Sequence, residues 1–280
     1  MRNYFILVVF LLSSCQSPHL PEMEHKKMSD KKAAPKRHSV YNRYTLKGNR
    51  YTQINDGAPN KHKAISFREP VPVKEPLSRY GNPAEYRVGG ISYQILTNTH
   101  RYKARGVASW YGTKFHNQRT SSGEPYDMYV MSAAHKTLPL PTYVKVTNLS
   151  NGKVAIVKVN DRGPFHTDRI IDLSYAAAIK LGVFPKGTAP VEVEALIGPK
   201  GTGPGEKVHF YVQAGAFATE IMAKQLKTKL THLAKDPVQI EHYENHFIVR
   251  VGPFADKKTA DGIKLKLAHS GVKGAFSVLI

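Results

Sequence analysis

Asp161 stands in Val159-Asn160-Asp161-Arg162-Gly163-Pro164-Phe165, where the β-branched stretch Val154 to Val159 runs into a turn-forming Asn-Asp-Arg-Gly-Pro. A strand there carries polar side chains to its rim and then reverses. Upstream lie Glu124, in Ser122-Gly123-Glu124-Pro125, and His135, in Ala133-Ala134-His135-Lys136. Three groups able to take or give a proton therefore sit near the ends of short elements, a pattern suited to general acid–base chemistry. Each also has an ordinary reading. An Asn-Asp-x-Gly run is most often a turn whose aspartate bonds its own backbone. A glutamate before proline in a loop is usually a solvated carboxylate, and His135 reads equally as a hydrogen-bonded surface histidine.

The elements that must position these groups are short. Strand patterns cover Val107 to Tyr111, Met128 to Ala133, Tyr143 to Asn148, Val154 to Val159 and Val191 to Ile197, with one helix, Ser174 to Leu181, capped by Ser174 and ended by Gly182. Many short strands, turns rich in Pro and Gly, and a single helix favour a small closed barrel over a parallel α/β sheet. An aromatic lead-in precedes it, with a hairpin expected around Gly89-Gly90 and packed on the barrel. Trp110 and Tyr111 are candidates for stacking on a ligand, though core aromatics are at least as common.

Residues 198–205, rich in Gly and Pro with Lys200 and Thr202, read as a linker. Beyond it an internal repeat emerges: Tyr211-Val212-Gln213-Ala214-Gly215-Ala216-Phe217-Ala218 parallels Ile248-Val249-Arg250-Val251-Gly252-Pro253-Phe254-Ala255, each followed by an amphipathic helix. The order βαββαβ gives a four-stranded antiparallel sheet with two helices on one face. Gln213 and Arg250 fall at equivalent positions on the other face, where they are candidate ligand contacts; Phe217 and Phe254 cover the core.

The 280-residue chain carries a net charge of +20, which points to an acidic partner or surface. Arg2, the apolar run Tyr4 to Leu12 and Ser13-Ser14-Cys15 have the form of a secretory leader too short to span a bilayer once mature. This segment resembles a bacterial lipobox, which makes residues 1–14 a lipoprotein signal peptide and Cys15, the only cysteine, the lipidation site. Gln16 in place of Asp implies export to the outer membrane. Residues 15–75 show no sustained apolar period and read as a disordered basic tether, of about 40–50 Å root-mean-square span. With an export signal ahead of it, nucleic acid is not an expected partner. Thirteen histidines are scattered without compact ligand spacing, so neither a metal nor a cofactor is expected.

Taken together, Ala108-Ser109-Trp110-Tyr111-Gly112, Arg119-Thr120 with Gly123-Glu124, Ala134-His135-Lys136-Thr137-Leu138-Pro139, the Asn160-Asp161-Arg162-Gly163-Pro164-Phe165 run and Arg169-Ile170-Ile171-Asp172-Leu173-Ser174 resemble the rare lipoprotein A family of septal lytic transglycosylases. The C-terminal repeat resembles a SPOR domain. Ser121-Ser122 departs from the Ala-Asn common in that family. The resemblance implies a double-psi β-barrel over 76–197 including the lead-in, and a SPOR domain over 206–280 that binds glycan strands stripped of their peptides. It implies a periplasm-facing outer-membrane lipoprotein enriched at the septum, with peptidoglycan as partner and divisome proteins or other murein hydrolases as further ones. It also places Glu124, His135 and Asp161 in the cleft, with Asp161 as general acid and then base and Arg162 beside the substrate. Asp172, in an Asp-Leu-Ser setting, competes for the acid role; its ordinary reading is a helix cap. A second function class fits the same residues: a non-catalytic, expansin-like glycan-binding scaffold.

Overall fold

The computed structural model describes residues 56–60, 65 and 67–280; the signal-like segment, Cys15 and most of the basic stretch lie outside the described residues. In chain order the elements are β1 (Glu85–Val88), β2 (Ile91–Gln94), β3 (Lys103–Tyr111), β4 (Ser132–His135), β5 (Thr142–Asn148), β6 (Val154–Asp161), β7 (Arg169–Ser174), α1 (Tyr175–Leu181) and β8 (Ala189–Ile197). They are followed by β9 (Phe210–Phe217), α2 (Glu220–Leu233), β10 (Val238–Tyr243), β11 (His246–Phe254), α3 (Lys257–His269) and β12 (Phe276–Leu279).

Strands β3 to β8 close into a barrel in the order β3-β7-β4-β6-β5-β8. Alternation along each strand turns Val144 and Val146, Val157 and Val159, and Val191 and Val193 inward, all fully buried with Leu173 and Ile171. Burying each such side chain contributes about 1.5–3 kcal/mol. Two pairings are parallel, β3 with β7 and β4 with β6, so β4 lies between β6 and β7 although those two are consecutive in the chain. The fold is the double-psi barrel with a small α+β module behind it.

Two strands differ from the sequence expectation. The strand expected over Met128 to Ala133 forms at Ser132–His135 instead, because Met128 and Met131 are spent as fully buried side chains in the turn before it. Arg169–Ser174 is a strand the pattern did not announce, with Asp172 in its middle. Asp172 therefore does not cap the helix: Ser174 does, accepting the Ala177 amide at 3.2 Å, while Gly182 closes the far end at φ 70°.

In the C-terminal module the sheet runs β10-β11-β9-β12, wholly antiparallel. Val212, Val249 and Val251 meet Ala223, Leu230, Ala260 and Leu267 of the helices in one core, with Phe254 buried and Phe217 against its edge. The β1–β2 hairpin forms with its Gly89-Gly90 turn in the left-handed region. Its apolar side, Tyr86 with the flanking Ala84 and Ile95, joins this C-terminal core, while the Tyr86 hydroxyl donates to Lys136 O (2.7 Å) and the Tyr86 and Tyr93 rings meet Phe165, so the hairpin packs on the barrel, as expected, and on the C-terminal module as well. From Asp56 onward the stretch read as tether makes specific bonds to the barrel: Asp56 accepts the Gly112 and Lys114 amides, and Glu69 accepts the Ile156 amide at 3.1 Å.

Candidate active site

The strand order β6-β4-β7 sets two aspartates either side of one alanine. Ala134 is the register partner of Asp161 on β6 and of Asp172 on β7, so the three side chains share a face, with the outer Cα atoms about 9–10 Å apart at two strand spacings. Ser109 is opposite Asp172 on β3 and extends the same row.

Asp161 is held by the loop before β4. Its Oδ1 accepts the Ser121 amide (2.8 Å), the Ser121 hydroxyl (2.6 Å) and the Arg162 amide (2.7 Å). No donor reaches Oδ2 among the described residues. Burial pushes the carboxyl above the usual aspartate range; the Ser121 and Arg162 bonds oppose that push without cancelling it. The turn reading of Asp161 is thus also met, since it does bond its own backbone.

Asp172 is supported differently. Its Oδ1 accepts the Ser109 hydroxyl, and that hydroxyl in turn accepts Arg169 Nη1 at 3.0 Å. Burial raises this carboxyl too, against the Ser109 bond and the nearby Arg169, His166 and Lys136. Between the two, Gly163 folds back over Ala134 at φ 139°, a conformation suited to glycine. A methyl there would lie 3.8 Å from Ala134 Cβ and 3.9 Å from Asp172 Oδ2. Lys136 ties this loop down through the carbonyls of His166 (3.0 Å) and Arg169 (2.7 Å).

The remaining expected site residues are not all gathered here. Glu124 is half-exposed on the Lys158–Asn160 side of β6, paired with Lys158 (3.1 Å) and accepting Asn160 Nδ2 (2.7 Å). Its backbone, through Thr120, braces the loop that carries Ser121. His135 is buried, one residue past Ala134, with Nδ1 accepting the Thr137 and Leu138 amides (3.1 and 3.0 Å) and Nε2 bonded to the Tyr102 hydroxyl (2.9 Å). Nδ1 as acceptor fixes the Nε2–H tautomer. Burial, then Arg162 and Lys136, drives this imidazole down to about 3, so it is neutral and both its nitrogens are used. That arrangement positions the turn after β4 and leaves no ring nitrogen for a substrate, contrary to the surface reading.

Arg162 is buried as well. Its guanidinium donates to the carbonyls of Gly81 (2.9 and 2.7 Å), His135 (3.1 Å) and Leu138 and to Asn82 Oδ1 (3.2 Å), so it braces the site from inside. Trp110 packs on Tyr175 and Phe184. The buried Tyr111 ring is stacked on Tyr126 at 4.1 Å. Gln213 and Arg250 do lie on the helix-free face of the C-terminal sheet, but both are buried. Sequence reasoning missed Ser109, Ser121 and Arg169, the partners of the two aspartates. The first stood in plain view beside Trp110, but nothing local announces that β7 will lie next to β3. Among the described residues no cluster of His, Cys, Asp and Glu is arranged to hold a metal ion.

Comparison with known proteins agrees with this architecture. Residues 103–193 match a family described as lytic transglycolase, and residues 206–278 match the SPOR domain family. The endolytic peptidoglycan transglycosylase RlpA of Neisseria meningitidis serogroup A is 44% identical over 166 residues, covering 57% of this chain and 70% of that relative. The chain belongs to the RlpA family. The RlpA protein of Vibrio cholerae is 44% identical over 204 residues, 72% of this chain and 66% of the relative, and that of Pseudomonas aeruginosa strain PAO1 is 49% identical over 170 residues, 60% and 46%. The chain thus spans about half to two thirds of those RlpA relatives. Among solved structures, the RlpA SPOR domain from Pseudomonas aeruginosa aligns at 27% identity and a TM-score of 0.23, over 25% of this chain and 96% of that one. An apo-expansin from Clavibacter michiganensis aligns at 18% identity and a TM-score of 0.30, over 55% and 81%.

Proposed function

We propose that this chain is a lytic transglycosylase that cuts the β-1,4 bond between N-acetylmuramic acid and N-acetylglucosamine in peptide-free glycan strands at the septum. The observation that carries the reading is the Asp161–Ala134–Asp172 row: two carboxyls, both raised by burial, on one face of a barrel rim. The names of the RlpA relatives support the same reaction class.

In this mechanism Asp161 Oδ2, free of donors while Oδ1 is pinned by three, carries the proton to the glycosidic oxygen. The C1–O bond breaks, leaving positive charge on the muramic acid ring. Asp172, flanked by Arg169 and Lys136, is the carboxylate that faces this charge. The Asp161 carboxylate then takes the proton of the C6 hydroxyl as its oxygen closes on C1, giving a 1,6-anhydro end and restoring the acid without water. Glu124 and His135 act as positioning residues, through the Ser121 loop and the turn after β4. A lipid on Cys15, the outer membrane as its site and a glycan bound by Gln213 and Arg250 complete the reading. Full occupation of the His135 ring nitrogens favours one alternative, a barrel that binds glycan without cutting it.

Incubation with amidase-treated sacculi followed by mass spectrometry separates the two. Anhydro-muramyl ends are expected; binding to the sacculi with none formed leaves the scaffold reading standing.

A further inference from the structure

The helix-free face of the C-terminal sheet bears the row Gln239, Arg250, Gln213 and Phe276, with Glu241, Tyr243, Ile248 and Val278 beside it. Neither α2 nor α3 packs there, yet Arg250, Gln213, Ile248 and Val278 are each under 9% exposed. The cover is the chain's own segment Arg79–Pro83. Its first residue pairs with Glu241 and lies over the Tyr243 ring at 3.9 Å; Tyr80 meets the same ring edge-on at 5.7 Å. Both belong to β10, one edge of the sheet. At the other end Pro83 bridges Val278 on β12, the opposite edge, where the Leu279 amide donates to Asn82 O (3.0 Å) and the Ala84 amide to Ser277 O (2.8 Å). The segment is bent at Arg79, Tyr80 and Gly81, the last in the left-handed region at φ 82°. Its two ends are thus held at the two edges of the sheet, by side chains on β10 and by backbone on β12.

Its attachment is uneven. On the barrel side it is anchored by Arg162 on Gly81 O and by the reciprocal bonds between Asn82 and Leu140. On the sheet side two guanidinium groups, Arg79 and Arg250, share the one Glu241 carboxylate, and Nε and Nη2 of Arg79 are buried without a hydrogen-bond partner. Buried donors without acceptors are costly, and this cost falls on the sheet side of the segment.

We propose that Arg79–Pro83 is an internal strap that closes the ligand face of the C-terminal sheet, so that strap and a carboxylate-bearing glycan occupy it by turns. The ligand class rests on the functional reading above; the closure does not. The test is a cross-link at the Pro83–Val278 bridge, where facing Cα atoms sit about 4.5–5.5 Å apart: Pro83→Cys with Val278→Cys in a full chain carrying Cys15→Ser. Cross-linked protein is expected to bind amidase-treated sacculi at least tenfold more weakly than the same protein after reduction, and Arg79→Ala to bind several-fold more tightly than the native chain. Equal binding of oxidised and reduced forms overturns the strap. Hydrogen exchange of the Ala84 and Leu279 amides gives a readout independent of glycan: faster exchange than at Val144 in the barrel, accelerated further by Arg79→Ala, is expected. Protection equal to Val144 in both proteins also overturns it. If exchange behaves as expected and no form binds sacculi, the strap stands and the glycan reading falls.

Discussion

Both halves of this protein collect polar side chains on one face of a sheet, and they satisfy them in opposite ways. On the barrel rim each aspartate is fixed through a single oxygen, by Ser121 and the Arg162 amide for Asp161 and by Ser109 for Asp172, with the carboxyls left raised by burial. On the C-terminal sheet the polar groups are closed off by another part of the chain, through Arg79 and Glu241. A site for chemistry keeps reactive valence in a dry place; a site for binding can be shut until its ligand arrives. Polar residues on a strand face do not tell these cases apart, but the partner of each side chain does.

The sharpest way to break the comparison is at the two aspartates. Asp161→Asn is expected to lower formation of anhydro ends by about 10²–10⁴-fold, and Asp172→Asn by less, in single-turnover assays on amidase-treated sacculi. A larger loss from Asp172→Asn reverses the two roles. Next in size is the pH dependence of stability. His135 is held neutral to about 3 in the fold, while an unfolded histidine titrates near 6.5, so stability is present above about 6.5 and falls toward 3 with a slope of about 1.4 kcal/mol per pH unit. Asp161 and Asp172, being raised, act with the opposite sign: their protonation favours the fold, so they partly offset the loss as pH falls through the carboxylate range. Urea melts of the native chain and His135→Gln across this window should differ in slope; parallel curves would show that His135 is not buried neutral. The smallest effect contrasts two helix starts. Ser174 caps α1 with its hydroxyl, whereas Thr219 precedes α2 with no side-chain cap bond. Ser174→Ala should cost about 1 kcal/mol and Thr219→Ala only a few tenths in the same melts.

Where side chains alternate in β-branched runs, as in β5, β6 and β8, the strands were legible from residue order, and the C-terminal repeat announced its own sheet. Asp161 was legible because its strand ends in a turn no core strand tolerates. The psi topology was not, since pairing of β4 with both β6 and β7 is a long-range choice with no local mark; the family resemblance supplied it. Nor was the burial of His135, which accepts two amides of the turn just after it, or of Arg162, which donates to carbonyls of Gly81, His135 and Leu138; backbone partners carry no residue signature. The bonds of Asp56 and Glu69 to the barrel were hidden for a related reason: a coil segment fixed by single carboxylates has no period to read.

That β4 sits between two strands joined by a short loop makes it a ruler. Paired directly, β6 and β7 would bring their aspartates one strand spacing apart, about 4.8 Å; with β4 inserted the interval doubles, and its floor is a methyl group, that of Ala134. The gap in which a sugar ring would have to fit is therefore measured out by backbone hydrogen bonding, and exists only once a segment from earlier in the chain has threaded into place. Whatever this rim does, it can do only after the barrel has finished folding.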